Sequence, residues 1–96
     1  MTRRAAKVDA VQSEIVDALR AAGCSVECTH AVGNGFPDLV CGVYDETILN
    51  RVNILMEVKM PTGKLTPDQV KWHAAWRGQV AVVRSVEDAL KLIGRA

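Results

Sequence analysis

The apolar run Ile54-Leu55-Met56 passes without a break into Glu57-Val58-Lys59, and a second run, Leu39-Val40-Cys41, is entered through Phe36-Pro37-Asp38. Runs of this kind read as buried strands, yet three charged side chains occur where pattern alone predicts burial. Along a strand, side chains alternate between faces. Asn53, Leu55, Glu57 and Lys59 therefore share one face, and Ile54, Met56 and Val58 the other. Two carboxylates and an ammonium at one end of a small sheet are costly to desolvate unless a cation or substrate offsets them. The pattern predicts a catalytic metal site at that end.

The chain of 96 residues, 49% of them apolar, fits one domain with a single core, spanning residues 1–96. So small a chain gains from pairing with a copy of itself, and a homodimer is expected. No apolar run approaches the ~18 residues that span a bilayer, and Met1-Thr2-Arg3-Arg4 has no hydrophobic signal core behind it. A soluble, cytoplasmic protein without membrane contact is the expectation. Cys24, Cys28 and Cys41 are odd in number and fit reduced thiols. With His30 they form neither a C-x-x-C pair nor a second ligand pair, so structural zinc is not expected.

The net charge of +1 hides an uneven distribution. Arg3, Arg4 and Lys7 open the chain. Between residues 8 and 58, eight acids meet only Arg20 and Arg51, and between 59 and 77 Lys59, Lys64, Lys71 and Arg77 meet only Asp68. An acidic centre with basic margins suits a metal pocket flanked by phosphate contacts. Ordinary solvated charge accounts for the same numbers, so charge alone decides nothing.

Val8, Val11, Ile15, Leu19 and Ala22 recur at helical spacing until Gly23, predicting a helix over 7–22 with Glu14 at the margin of its stripe. Ser25 to Val32 reads as a strand, with His30 near its end, and Gly33-Asn34-Gly35 as a turn. Those glycines also permit close approach of a phosphodiester to the backbone. Pro37 suits a strand start, and residues 39–44 continue that strand. Val52 to Lys59, apolar on both faces before its charged end, predicts a central strand. Thr66-Pro67-Asp68-Gln69 opens a helix to about Arg77, with an N-cap threonine, proline at the first helical position and glutamine at the capping-box position. Val80 to Val83 reads as a short strand in parallel with its neighbour. Ser85 then caps a last helix with stripe Val86, Ala89, Leu90 and Ile93.

Pro37-Asp38 and Glu57-Val58-Lys59, in an α-β-β-β-α-β-α order, resemble the PD-(D/E)xK nuclease superfamily. Gly35-Phe36-Pro37-Asp38-Leu39, the E-x-K, and Leu65-Thr66-Pro67-Asp68-Gln69 with Trp72 resemble the VRR-NUC (virus-type replication-repair nuclease) family more closely. The likeness covers nearly the whole chain, as for a standalone minimal member of the kind found in phages and bacteria. It implies an α/β restriction-endonuclease-like core, a mixed sheet flanked by helices. It also implies Mg2+- or Mn2+-dependent endonuclease cleavage of DNA, leaving a 5′-phosphate and a 3′-hydroxyl. For standalone members it implies a homodimer acting on branched DNA such as four-way (Holliday) junctions. Val82-Val83-Arg84-Ser85 matches only part of the family's Val-Arg-Arg run and leaves the role of Arg84 open.

On this resemblance the metal ligands are Asp38, Glu57, the Val58 backbone carbonyl and, through water, Glu14, since hard divalent cations take oxygen ligands. Lys59 stands beside the attacking water or counters charge on the phosphorane, and Gln69 orients water or Lys59 from the following helix. Gln69 has an equally good use in a capping box with Thr66, and Glu14 a plainer one as a solvated side chain. Lys64, Lys71, Arg77, Gly33 and Gly35 are the DNA-contact candidates. Trp72 and Trp76, one turn apart, suit packing against the sheet or a partner better than stacking on splayed bases. The competing reading of the whole chain is a nucleic-acid-binding module that keeps the fold without catalysis. A structural dimerisation domain with salt-linked acids is a third. The intact Asp38, Glu57 and Lys59 favour the enzyme.

Overall fold

Periodicity and caps place the elements in the order predicted. The computed structural model describes the backbone of residues 2–95 and the side chains of residues 10–95. Helix α1 (Thr2–Ala21) leads into β1 (Ser25–Cys28), a 3-10 turn (His30–Val32), β2 (Leu39–Asp45) and β3 (Asn50–Val58). Then come α2 (Pro67–Ala75), β4 (Val80–Val83) and α3 (Val86–Leu92). Val8 of the predicted stripe and the basic residues Arg3, Arg4 and Lys7 lie outside the described side chains.

The sheet runs β1-β2-β3-β4. β1 and β3 flank β2 in antiparallel pairing, and β4 joins β3 in parallel after the α2 crossover. β3 is an inner strand, as its doubly apolar pattern requires. One sheet face carries Leu39, Cys41, Val43, Ile54, Met56, Val58 and Val83 against Ile15, Val16 and Leu19 of α1 and Ala89 and Ile93 of α3. Leu55 is buried but stands outside that cluster, as alternation along β3 demands. Glu57 shares its face, where Gln69 of α2 reaches it. α2 itself has no fully buried residue.

Two boundaries differ from expectation for visible reasons. The first strand was predicted to continue to Val32 but ends at Cys28. After it, the Thr29 N–H donates to the Asp38 carbonyl at 2.7 Å and Thr29 Oγ1 to the Pro37 carbonyl at 2.8 Å. These bonds complete the pairing with β2, and His30 to Val32 coil away. α2 stops at Ala75, two residues short of Arg77, because Trp76 is extended (φ −72°, ψ 129°).

Met56 is fully buried on an inner strand. Met56→Ala is expected to cost about 2–5 kcal/mol of stability, read from urea unfolding as a lower midpoint at unchanged slope.

Candidate active site

The site begins with a break in the β2–β3 ladder. Leu39 pairs with Met56, so the same antiparallel register sets Asp38 opposite Glu57, on the face away from the main core. Two residues on from Met56, the ladder would next offer the Val58 N–H to the Pro37 carbonyl. That carbonyl accepts from Thr29 instead. The Val58 N–H donates to Asp38 Oδ2 at 2.9 Å, so a side chain stands in for the backbone acceptor and its carboxylate is fixed at the end of β3. N–H and C=O of an extended residue point to the same strand edge, which directs the Val58 carbonyl towards the same gap. Asp38, Glu57, Val58 and Lys59 floor a cleft of about 320 Å³, walled by Val11, Met60, Gly63 and Gln69.

Glu57 is 2% exposed. Burial, followed by the hydrogen bond and charge of Asp38, pushes its carboxyl from an ordinary 4.5 up to about 8, against a smaller lowering by Lys59. Among the described residues, Glu57 Oε1 is a buried oxygen with no hydrogen-bond donor. Two carboxylates face one another, so only a proton between them or a cation relieves the pair. This donor set fits a hard divalent ion, which is commonly held by one or two carboxylates and completed by carbonyl, water and phosphate oxygens. Among the described residues no three of His, Cys, Asp and Glu gather at one point, and the fit rests on the acid pair and the Val58 carbonyl.

Gln69 closes the capping box expected of it and also reaches Glu57, a contact that the sequence reading, which paired it with water or Lys59, did not name. Its N–H donates to Thr66 Oγ1 at 3.2 Å, and its Oε1 accepts from the Thr66 N–H at 2.9 Å, closing the capping box. Nε2 then points outward and donates to Glu57 Oε2 at 3.0 Å. Because Oε1 must face a backbone donor, the amide has one sensible orientation. The cap thus aims the helix at the site.

Gly35 docks the other side of α2. A Cβ there would lie 2.6 Å from the Asp68 carbonyl oxygen and 3.1 Å from Trp72 Cβ, and φ is +86°. The space that the missing Cβ leaves at this glycine is filled by the α2 backbone. Gly33, also at positive φ (+76°), has open space around it. Phe36 meets Trp72 edge-on at 5.2 Å, and Trp72 stacks on Trp76 at 4.6 Å. The two indoles pack on each other, and Trp76 remains 42% exposed.

The remaining candidates stand further out. Glu14 is exposed, and α1 contributes Val11 to the cleft wall. Lys64, Lys71 and Arg77 are exposed, as is His30 in the 3-10 turn. Of two neighbours, His73 was not singled out from sequence and Arg84 was named only with its role left open. His73 lies one turn beyond Gln69; its Nε2 is buried without a partner, and burial, then the charge of Lys59, lower its pKa. Arg84 donates from Nη1 to the Met60 and Gly63 carbonyls beside the cleft. The partial Val-Arg-Arg match was the available signal for Arg84, and four-residue spacing from Gln69 the signal for His73.

A mixed sheet with an acid pair and a lysine at the end of an inner strand, flanked by helices in the order α-β-β-β-α-β-α, defines a restriction-endonuclease-like core. The model of the VRR-NUC domain matches residues 3–87, and the chain belongs to that family. Its function is accordingly of the nuclease type, with DNA as the implied partner. No curated protein and no solved structure matches the chain at a significant level. Among the described residues, no helix is long and apolar enough to cross a membrane.

The raised Glu57 carboxyl carries a signed pH dependence. Between pH 4.5 and about 8 the native state keeps a proton that the unfolded chain has released, so stability of the metal-free protein falls as pH rises through that window. Thermal melts across it are expected to show the decline, and Glu57→Gln to flatten it.

Proposed function

We propose that this protein is a divalent-metal-dependent, structure-selective DNA endonuclease that hydrolyses phosphodiester bonds and acts on branched DNA, four-way junctions included, as a homodimer in the cytoplasm. The observation that carries the metal-dependent reading is the opposition of Asp38 and Glu57 across a broken ladder, with Glu57 Oε1 buried and unpartnered among the described residues and Lys59 in the same cleft. Branched substrates and dimerisation rest on the family resemblance and on the small size of the chain.

Mg2+ or Mn2+, when bound, would polarise the phosphate and make water a better nucleophile at neutral pH. Asp38 and Glu57 would hold the ion with the Val58 carbonyl. Glu14, exposed and three residues beyond Val11, would reach it only through water. Gln69 fixes Oε2 of Glu57, which leaves Oε1 as the oxygen offered to the ion. Lys59 holds or moves a proton at the attacking water, or offsets charge on the phosphorane. Lys64, Lys71, Arg77 and the open backbone at Gly33 would meet the DNA backbone, giving affinity that falls with salt and reads no sequence.

Labelled linear duplex, flap and four-way junction substrates incubated with Mn2+ test the assignment. Lys59→Ala is expected to lose roughly 10²–10⁴-fold in rate while still binding. Equal cleavage by both proteins removes the assignment from this site, and binding by the wild type without cleavage in any metal supports the non-catalytic module. Sedimentation at working concentration tests the dimer, since a monomer would be left to nick rather than resolve a junction symmetrically. Calorimetry in buffers of different ionisation heat is expected to show about one proton released per ion bound near pH 7.

A further inference from the structure

We infer that Arg84 is the positioning residue for Lys59, acting through the turn that follows it. Lys59 ends its strand with its N–H donating to the Val83 carbonyl at 3.0 Å, and Arg84 is the next residue along that neighbour. From there Arg84 Nη1 donates to the Gly63 carbonyl at 2.7 Å and the Met60 carbonyl at 2.9 Å, with the Pro61 carbonyl at 3.4 Å. The Gly63 N–H donates to the Met60 carbonyl at 2.9 Å and closes the turn. A Cβ on Gly63 would lie 3.4 Å from the Met60 oxygen and 3.7 Å from Lys59 Cδ. The turn therefore lies beside the lysine stem, and the guanidinium pins the turn.

The arrangement suits what each residue type lacks. A lysine ammonium rides on a flexible four-carbon stem and does not hold one position unaided. Loop carbonyls lack ladder partners and bind well to an ionised donor. Arg84 is itself anchored: its N–H donates to Asp88 Oδ2 at 2.9 Å, and the Asp88 N–H to Ser85 Oγ at 3.0 Å, at the start of α3. A line of hydrogen bonds thus runs from α3 through Arg84 to residues 60–63, which lie beside the stem of Lys59. Met60 and Gly63 also line the cleft, so losing the pin deforms its wall and its lysine together. Nη1 is committed to these carbonyls, and contact with a DNA phosphate through the rest of the guanidinium is the competing use of an arginine here.

The catalytic consequence rests on the nuclease reading, whereas the positioning itself does not. Wild type, Arg84→Ala and Arg84→Lys are compared in three ways. Amide exchange at Gly63 is expected to speed up by roughly tenfold or more in both variants, with exchange in the main core unchanged. Acylation of Lys59 in the metal-free protein, followed by mass spectrometry, is expected to change rate in both. With Mn2+ and linear duplex, kcat is expected to fall roughly a hundredfold at unchanged KM and unchanged salt dependence, and millimolar guanidinium to restore part of it in Arg84→Ala. Unchanged Gly63 exchange and Lys59 labelling overturn the inference. So does a raised KM with a shallower salt dependence and unaltered kcat, which makes Arg84 a phosphate contact. Should Arg84→Ala not fold, the exchange and labelling of Arg84→Lys decide. A wild type that cleaves nothing sinks the nuclease reading, and the first two measurements still judge this one.

Discussion

Two carboxylates pressed together at the end of a sheet are the constraint around which this molecule is arranged. Asp38 is held by the Val58 N–H, Glu57 by the Gln69 amide, and neither bond relieves their mutual repulsion. A proton relieves it in the resting protein, and the donor set suits a doubly charged ion in its place. The bend at Asp38, just before β2, creates the opportunity. Had β2 kept pairing straight through, Val58 would have bonded to a backbone carbonyl and Asp38 would have had no reason to lie across the strand end.

The supporting residues each connect local folding to the site. Gln69 caps its own helix and touches Glu57 with the same amide, so the start of α2 and the orientation of the acid are one structural event. Gly35 brings the loop that carries Asp38 into contact with that helix at a distance no side chain would allow. Such economy makes a chain of 96 residues sufficient for a complete cleft.

Much of the fold was legible because the relevant signals are local. Alternation in Leu39–Tyr44 and Val52–Lys59 placed the inner strands and assigned Glu57 and Lys59 to one face, and the Thr66-Pro67-Asp68-Gln69 cap placed α2. The acid pair was legible as a pair because both acids interrupt apolar runs. What was not legible depends on where the chain goes between elements. Thr29 diverting the Pro37 carbonyl ends β1 early, and no residue pattern announces that. Gly35 reads in sequence as a turn or a phosphate approach, and its close contact with α2 is visible only once the helix is seen against it. Arg84 stands twenty-one residues from Gly63, and only the parallel pairing of β4 with β3 brings them together. Gln69 showed the opposite limit, since its capping role was legible in sequence and its bond to Glu57 was not.

Helix α2 buries no side chain fully, in contrast to the α1–α3 layer across the sheet. Elements with little buried apolar surface open at lower cost than the core. The chain is consequently built on two tiers: a durable tier of four strands and two helices bearing Asp38, Glu57 and Lys59, and a lightly buried cover bearing Gln69. Were the cover to lift, water would reach Glu57 and remove the burial that raises its carboxyl, while the hydrophobic layer across the sheet would stay intact.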